Sequence, residues 1–477
     1  MTKMKNIFSY SLMLLLSLMT WSCSDSDSGS TASQMKLFRD GAEVSEMTFS
    51  VGGGNQMLGV FSDGDWDAAL SDESWCTISN HAGFVDNDSI QYIKVSVEKN
   101  TGEARSVTLT VTSGGMSRSV VINQKGTGTD PGDTFMSSYE TLAAFTIGYN
   151  LGNTLDADPS PSDWWDPTGK TPIDWETTWG QPETTQEIID AIAAKGFGVI
   201  RVPVSWWPHM DESGNVDAAW MARVKQVVDM VINANCFCIL NVQHDTGADT
   251  PAWVQANMES YQAGNAKFKY LWTQIANTFK DYGDHLLFEA FNEILYVNNN
   301  DGWTVPEAGY EGYEAIRLWH QAFVDAVRAT GGNNEYRNLV INPYSASSSQ
   351  TVLNEMAVPV DKHSNHILMS IHSYDPYSFC NDNDPWNINY FDDDCKAEID
   401  GVFQRLSQCS SNLGIPAFVG EFGAIDENKD MDERVKYATY MRQKFAEYNM
   451  VGLWWMGLYD RKKNEWYEQE IVDALFK

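Results

Sequence analysis

Two glutamates, Glu293 and Glu421, stand where apolar runs of strand length come to an end. The first closes the segment FEAFNE at residues 288–293, and the second lies in FVGEFG at residues 418–423. A glutamate at the C-terminal mouth of a buried strand faces the loops where an α/β barrel holds its active site. A retaining glycosidase needs two carboxyl groups about 5 Å apart, one to protonate the leaving oxygen and one to attack the anomeric carbon. The two glutamates therefore predict this chemistry.

Eight apolar runs alternate with helical stretches from about residue 137 onward, and they are the elements that must position the glutamates. The runs lie at residues 145–151, 199–204, 237–242, 286–291, 339–342, 367–371, 417–419 and 452–455. Intervening segments such as 185–195, 218–233, 310–330 and 431–448 carry apolar residues near the helical period. This alternation predicts a closed (β/α)8 TIM barrel over residues 137–477. An open doubly wound sheet is the alternative, although no Gly-rich phosphate loop follows the first run.

Shorter alternating runs fill residues 35–126, ahead of the barrel. Examples are QYIKVSV at 91–97 and SVTLTVT at 106–112, bounded by Gly and Asn. This period of two predicts a small all-β, immunoglobulin-like sandwich. Residues 127–136 contain Gly and Asp and predict a flexible linker, so we expect the two domains to move independently.

The N-terminus has the composition of a signal peptide over residues 1–22. Lys3 and Lys5 precede an apolar run at 7–21 that is too short for a stable membrane span. The run ends at Ser22 and Cys23, as at a lipoprotein processing site, so we expect lipid on Cys23 and a tether over residues 23–34. The following tract SDSDS resembles the acidic tract that sends Bacteroidetes lipoproteins to the cell surface. We expect an outward-facing outer-membrane lipoprotein, with secretion as the alternative.

The charge balance argues against several classes of partner. The chain carries 65 Asp and Glu against 32 Lys and Arg, a formal net charge of −33, which repels nucleic acid. The 18 Trp, 20 Tyr and 21 Phe supply aromatic faces that suit sugar rings as well as a core. The histidines are scattered and no Cys-x-x-Cys motif occurs, so no metal site is predicted.

Six cysteines remain if Cys23 carries lipid. Cys236 and Cys238 alternate within an apolar strand, which predicts two buried small side chains on one face. Cys380 and Cys395 flank an Asp- and Asn-rich loop and are the best disulfide candidates in an oxidising compartment.

Six motifs spread over residues 137–477 resemble glycoside hydrolase family 5, nearest to its subfamily 4 endoglucanases. They are YNLGNTLD (149–156), ETTWGQPETT (176–185), IRVPVSW (200–206), FNE (291–293), HSY (372–374) and GEFG (420–423). The segment 35–126 likewise resembles the BACON domain of Bacteroidetes surface proteins, on Trp66, Trp75, Arg105 and Gln124. The first resemblance implies a TIM barrel and a retaining mechanism that needs no metal or organic cofactor.

The resemblance to family 5 assigns the two glutamates. Glu293 would be the acid/base and must hold a proton at the start, and Glu421 would be the nucleophile. Arg201 would lie beside Glu421 and lower its pKa. Asn292 would hold the sugar 2-hydroxyl, a contact that strengthens in the transition state.

The same resemblance implies supporting side chains around this pair. Tyr374 would hydrogen-bond the nucleophile, and His372 would lie nearer the acid/base. Trp455 matches the family's platform beneath the sugar next to the cleavage point. Trp454 alternates to the opposite face, which predicts packing. Asn153 and Trp179 fall in motifs at the cleft mouth, where either a sugar contact or a structural role fits.

The chain departs from the family pattern at two places. Gln243 stands where the family has the first histidine of a His-His pair, and His244 matches the second. Glutamine can donate a hydrogen bond to a sugar hydroxyl but carries no charge. Ile294 follows the acid/base where proline is common, which affects the backbone rather than the chemistry.

These observations predict a surface-anchored, retaining endo-β-1,4-glucanase. Xyloglucan is the favoured substrate, followed by mixed-linkage β-glucan and soluble cellulose. The alternatives are a β-mannanase or xylanase of the same family, or a catalytically weak glycan-binding surface lipoprotein, which Gln243 suggests. We expect a monomer, and we expect the sandwich to be a spacer rather than a glycan-binding module.

Overall fold

The structure is a computed structural model of the 477-residue chain. It describes residues 34–39, 42–49, 54–83, 91–126, 135–158, 166–248, 252–297, 302–381, 387–426, 429–455 and 457–477. The predicted signal peptide, Cys23 with most of its tether, and most of the linker lie outside the described residues. No helix within these ranges is long and apolar enough to cross a membrane.

Eight parallel strands close into a barrel in sequence order, and the first strand pairs with the last. They span Gly148–Asn150, Val199–Val202, Phe237–Asn241, Leu286–Glu289, Leu339–Ile341, Ile367–Ser373, Ala417–Phe422 and Gly452–Trp455. All eight predicted runs are present, so the barrel is confirmed and the open sheet is wrong. Nearly every strand residue is buried, because one face meets the helices and the other fills the interior.

Three strand boundaries differ from the prediction. Phe145 is the C-terminal cap of a helix, so the first strand begins only at Gly148. The second strand ends at Val202, before a proline that cannot donate to the ladder. The seventh strand continues to Phe422 through a register shift that follows Val419, which places Glu421 inside the strand.

Helices connect the strands and cover the barrel. They span Ser138–Ala144, Pro172–Glu176, Gln186–Ala194, Ala218–Asn233, Met258–Thr278, Glu311–Ala329, Gln350–Asn354, Tyr377–Cys380, Asp393–Leu413, Met431–Tyr448 and Gln469–Phe476. Short 3-10 turns lie at Trp207–His209, Gly332–Glu335, Tyr344–Ala346 and Ser364–His366, and a two-stranded ribbon pairs Tyr459–Asp460 with Glu465–Trp466.

The helix at Ala218–Asn233 illustrates why these segments are helical. Its N-cap, Asp217, accepts a hydrogen bond from the backbone N–H of Trp220 at 2.9 Å, which satisfies an otherwise unpaired donor. Its apolar residues recur near the helical period and are buried, so one stripe packs against the barrel. They include Trp220, Val224, Val227, Val228 and Val231.

The starts of the barrel strands, together with the helix at Ser138–Ala144 and its C-cap, form an apolar floor at one end of the barrel. This floor is one buried cluster, composed of Leu142, Phe145, Val199, Phe237, Ile239, Leu287, Val340, Leu368, Phe418 and Leu453. Successive side chains of a strand alternate between faces, so residues i and i+2 share a face. Val199 and Leu287 in the floor therefore face the same interior as Arg201 and Glu289 above them.

The described residues between 35 and 124 form two five-stranded sheets, as the alternation predicts. One sheet has the order Ala42–Glu43, Met35–Arg39, Gly54–Ser62, Gln91–Val97 and Cys76–Ile78, and the other Glu46–Phe49, Met116–Gln124, Arg105–Ser113, Trp66–Leu70 and Ala82–Gly83. Trp66 and Trp75 are buried. Nε of Arg105 donates to Gln124 at 2.8 Å. The chain divides into two compact units, one holding most of the sandwich and one holding the barrel.

The disulfide prediction for Cys380 and Cys395 is wrong in this structure, because both are buried free thiols. Each Sγ instead contacts a backbone carbonyl 3.8 Å away, that of Asp375 for Cys380 and that of Tyr390 for Cys395. Burial raises the pKa of the Cys395 thiol to about 11, which favours the protonated form. Cys236 and Cys238 are both buried in one cluster, as predicted.

Candidate active site

Glu293 and Glu421 meet at the C-terminal end of the barrel, with His372 between them. Nδ1 of His372 lies 2.7 Å from Oε1 of Glu293 and 3.5 Å from Oε2 of Glu421. One ligating atom from each of the three residues lies within 4.8 Å of the others. The Glu293 side chain is 20% exposed and that of Glu421 is 6% exposed, so Glu293 is the carboxyl group that a polymer in the cleft reaches more easily.

Arg201, on the second strand, is fully buried and holds Glu421 in place. Its Nη1 donates to Glu421 Oε1 at 2.8 Å and to Asn150 Oδ1 at 3.1 Å. Its Nη2 donates to Asn292 Oδ1 at 2.9 Å. A guanidinium is a planar fork of donors, so these contacts fix the positions of Glu421 and Asn292 relative to each other.

The remaining donor of Arg201 reveals a residue to which the sequence analysis gave no role. Nε of Arg201 donates to Oε2 of Glu289 at 2.6 Å, and both side chains are fully buried. Oε1 of Glu289 accepts from Nδ2 of Asn342 at 2.9 Å. Glu289 lies four residues before Glu293 and two after Leu287, so strand alternation could have indicated that it points into the barrel.

The pKa of Glu421 is raised, whereas the sequence predicts that Arg201 lowers it. Burial raises the pKa of Glu421, and it outweighs the lowering effects of His372, Arg201 and the Tyr374 hydroxyl. The expectation that Arg201 leaves Glu421 with a lowered pKa is therefore wrong in its net direction, although Arg201 does act in that sense.

His372 and Tyr374 respond to the same two carboxylates. Burial lowers the pKa of His372, but Glu421 and Glu293 raise it by more, so the net shift is upward. Burial, together with Glu421 and Glu293, raises the pKa of Tyr374 well above its usual value. Tyr374 therefore keeps its proton and donates to Oε2 of Glu421 at 2.8 Å.

Trp455 lies at the end of the eighth strand and packs over Gly152. A Cβ atom at Gly152 would meet the Trp455 ring at 3.0 Å, so only glycine allows this approach without displacing the ring. The neighbouring Trp454 is buried and contacts the rings of Phe422 and Tyr437. Trp454 is thus a packing residue, and Trp455 stays half-buried on the side of the cleft.

The other predicted site residues have partners outside the carboxylate network. Gln243 is buried, and its Oε1 accepts from Nδ2 of Asn241 at 2.6 Å. His244 packs edge-on against Trp179, with ring centroids 5.5 Å apart. Asn153 adopts a left-handed backbone with φ of 57°, and its N–H donates to Asp156. No hydrogen bond or ion pair joins these residues to Glu293 or Glu421 among the described residues.

Among the described residues, Glu293, His372 and Glu421 are also the set close enough to share a metal ion. A cation there would occupy the carboxylate oxygens that acid catalysis and nucleophilic attack both require. The arrangement therefore fits carboxylate chemistry, which uses these oxygens directly.

The separation of the two carboxylates indicates the stereochemical course. Retaining glycosidases place them about 5–5.5 Å apart, and inverting enzymes roughly 6.5–9.5 Å apart to admit a water. One oxygen of Glu293 lies within 4.8 Å of one oxygen of Glu421, which agrees with the shorter separation and favours direct attack by one carboxylate.

Comparisons with known proteins agree with this geometry. The family model for cellulase (glycosyl hydrolase family 5) matches residues 165–458, and the BACON model, described as a putative N-terminal binding domain, matches residues 65–125. Endoglucanase A of Ruminococcus albus is 32% identical over 361 residues, which cover 72% of this chain and 93% of that protein. The xyloglucan-specific endo-beta-1,4-glucanase BoGH5A of Bacteroides ovatus is 27% identical, over 98% of this chain and 95% of that protein.

A solved structure gives the same result. PbGH5A of Prevotella bryantii, a glycoside hydrolase family 5 enzyme in complex with a xyloglucan tetradecasaccharide, is 39% identical, with a TM-score of 0.66 over 72% of this chain and 99% of that one. The paired carboxylates in a closed barrel and these matches lead to one conclusion: the chain belongs to glycosyl hydrolase family 5, it carries an N-terminal BACON domain, and it is a glycoside hydrolase.

Proposed function

We propose that this enzyme is a retaining endo-β-1,4-glucanase that cleaves xyloglucan, with Glu293 as acid/base and Glu421 as nucleophile. The observation that carries the proposal is the pair of carboxylates within 4.8 Å of each other at the C-terminal mouth of the barrel. Such a pair suits double displacement at an anomeric carbon.

The first displacement uses each carboxyl group once. Glu293 gives its proton to the glycosidic oxygen, and Glu421 attacks C1, so the old C–O bond breaks as a covalent glycosyl ester forms. The shortened chain leaves with the proton. In the second displacement Glu293 takes a proton from water, the resulting hydroxide attacks C1, and Glu421 departs as a carboxylate.

The residues around Glu421 prepare it for attack. Arg201 and Tyr374 each donate one hydrogen bond to it, one to each oxygen, which orients the carboxylate. Oδ1 of Asn292 accepts from Arg201, so its amide Nδ2 is the group left for the sugar 2-hydroxyl. That contact strengthens as positive charge develops on the sugar ring.

The substrate proposal draws support from the relatives. BoGH5A is named xyloglucan-specific and spans nearly the whole of this chain, and PbGH5A is bound to a xyloglucan oligosaccharide. Mixed-linkage glucan and soluble cellulose are the next candidates, since relatives include a lichenase and a broad-specificity endoglucanase. Mannan and xylan differ from these in hydroxyl orientation or in the hydroxymethyl group, which cleft side chains distinguish.

We further propose that the enzyme acts at the cell surface as a lipoprotein anchored through Cys23, with the sandwich as a spacer. The support is the sequence pattern of residues 1–28. A Cys23→Ser variant should lose lipid labelling and leave the membrane fraction, and unchanged membrane association would contradict the anchor. Measurable glycan affinity of residues 28–126 would contradict the spacer role.

The experiment is reducing-end release and product sizing on xyloglucan, mixed-linkage glucan, carboxymethyl cellulose, mannan and xylan. Glu421→Ala is the control that removes the nucleophile. Rapid appearance of mid-sized oligosaccharides from one glucan, absent in the control, is the expected result. A folded protein that releases nothing from any glucan would point to a glycan-binding role instead.

A further inference from the structure

A cavity of about 470 Å³ opens beside the carboxylates, and the mechanism above makes no use of it. Side chains from the ends of the last three strands and from the C-terminal segment line it, among them Tyr374, Tyr377, Asp426, Trp455, Tyr467 and Glu468. We propose that this side cavity is a subsite for a neutral sugar branch on O6 of the glucosyl unit that Glu421 attacks. This inference rests on the proposed glucanase activity and specifies which branch it tolerates.

The side cavity is continuous with the catalytic site. Tyr374 forms part of its wall and donates to the Glu421 carboxylate at 2.8 Å. Trp455, the proposed platform for the reacting sugar, forms another part. The cavity therefore begins beside the position of the sugar that is attacked.

The geometry of a glucosyl ring selects O6 as the atom that points into the side cavity. C2 lies on one side of the anomeric carbon, and C5 with its hydroxymethyl group lies on the other side, across the ring oxygen. Asn292, the proposed partner of the 2-hydroxyl, follows the fourth strand, which stands opposite the eighth strand in the closed barrel. A ring that places its 2-hydroxyl at Asn292 thus directs O6 towards the seventh and eighth strands, where the cavity opens.

The rim of the side cavity offers apolar faces to a sugar. Tyr377 is 58% exposed and Tyr467 is 52% exposed, so both present ring surface to solvent. A tyrosine provides a broad contact face with few rotatable bonds and a hydroxyl at its edge. The volume of the cavity lies within the range of roughly 300–1,000 Å³ that small ligands occupy.

The charges around the side cavity argue for a neutral branch. Arg434 is the one cation among its described lining residues. Its Nη1 and Nη2 pair with Glu468, and its Nε and Nη2 donate to the carbonyl of Ala424 at 3.1 and 2.9 Å. The guanidinium is thus fully used, and the exposed carboxylate of Asp426 would repel an anion. An acidic sugar or a phosphate would find no free cation here.

The first test reads where the unaltered enzyme cuts. Xyloglucan carries xylosyl branches on O6 of some backbone glucoses, so mass spectrometry of the products shows whether each new reducing end is substituted. We expect products with a substituted reducing terminus beside those with a plain one. Products that end only in unsubstituted glucose would overturn the proposal.

The second test truncates the two exposed tyrosines at the rim of the side cavity. In a Tyr377→Ala/Tyr467→Ala variant we expect the ratio of substituted to unsubstituted reducing termini to fall by about 10-fold, the usual size of a lost apolar contact. This ratio is internal to each digest, so it does not depend on overall activity. Tyr139→Ala is the matched control, because Tyr139 is similarly exposed but lies on the helix below the apolar floor.

The outcomes separate this inference from the proposed function. An unchanged ratio in the double variant, or an equal fall in the Tyr139→Ala control, would contradict the branch subsite. If either of these two results is found while the enzyme still cleaves mixed-linkage glucan, the branch subsite is contradicted and the proposed glucanase activity is not. Failure to cleave any glucan contradicts the proposed function itself.

Discussion

The two ends of the barrel interior differ in chemistry although the same strands build both. Val199 and Leu287 belong to the apolar floor, and two residues later on the same faces stand Arg201 and Glu289. Val340 with Asn342 and Leu453 with Trp455 repeat this pattern. Each of these strands thus gives one side chain to packing and the next inward-facing one to the site.

The comparison shows how buried charge is tolerated at the catalytic end. A charge removed from water is costly unless it is paired and hydrogen-bonded. Every donor nitrogen of Arg201 is occupied, by Glu289, Glu421, Asn150 and Asn292. The floor needs no such pairing. Its burial stabilises the framework on which the polar layer depends, namely Arg201 with these four partners and Glu293, which His372 joins to Glu421.

The largest expected effect follows substitution of the acid/base, Glu293, in the polar layer. Glu293→Ala should lower kcat/KM on a glucan by roughly 10²–10⁴-fold, because no group then protonates the leaving oxygen. Aryl glycosides with acidic leaving groups need little protonation and should lose far less, and added azide should restore their turnover. Steady-state kinetics on both substrate types measures this. Equal losses on both would contradict the acid role.

A smaller effect is expected when Arg201 loses the negative charge of Glu289 but keeps its hydrogen bond there. Glu289→Gln should keep the shape of the layer, since the introduced amide oxygen can accept from Nε of Arg201. Its NH2 group can donate to Oδ1 of Asn342 once the Asn342 amide turns over, because Nδ2 of Asn342 now faces residue 289 and Oδ1 has no hydrogen-bond partner among the described residues. The loss in kcat should stay within about 10²-fold, the cost of slight misplacement.

The pH profile of the same variant has a defined sign. Glu421 faces Arg201, His372, Tyr374 and Glu293, and Arg201 lowers its pKa. Without the negative charge at Glu289, Arg201 acts on Glu421 more strongly, so the pKa of Glu421 falls. The acid limb of kcat/KM should therefore move to lower pH. An acid limb that stays in place or moves to higher pH would show that Glu289 has only a packing role.

Substitution of Gln243, which stands where the family has a histidine, should lower activity less than the changes at Glu293 and Glu289. Gln243→Ala should lower kcat/KM by about 10-fold through the loss of one neutral hydrogen bond to a sugar. Gln243→His should retain most activity but add a titrating group to the pH profile. A Gln243→Ala variant with unchanged kinetics on every glucan would show that this side chain does not touch the substrate.

The smallest effect on catalysis is expected in the floor. Leu287→Ala should cost about 2–5 kcal/mol of unfolding free energy by leaving a cavity, while kcat stays near that of the unaltered enzyme wherever the protein is folded. Urea denaturation and kinetics on one preparation measure both. A large fall in kcat without a loss of stability would contradict the separate roles of the apolar floor and the polar layer.

The sequence predicted the strands because their apolar runs are uninterrupted, and it placed Glu293 and Glu421 together because parallel strands end at one mouth. It gave Glu289 no role, because the partner that defines it, Arg201, lies 88 residues away. The predicted direction of the pKa shift of Glu421 was wrong, because the shift depends on burial, which no local sequence pattern reveals. The disulfide prediction failed because sequence spacing does not reveal which groups two thiols face, and here each faces a backbone carbonyl.

The most direct test of the central claim is to trap the covalent intermediate. A 2-deoxy-2-fluoro cello-oligosaccharide with an activated leaving group should inactivate the enzyme and add one fluoro-glycosyl group. The fluorine slows both displacements, and the activated leaving group speeds only the first, so the covalent intermediate accumulates. Peptide mass spectrometry should place the added mass on Glu421. The label on Glu293, or turnover of glucan without any covalent adduct, would contradict the account.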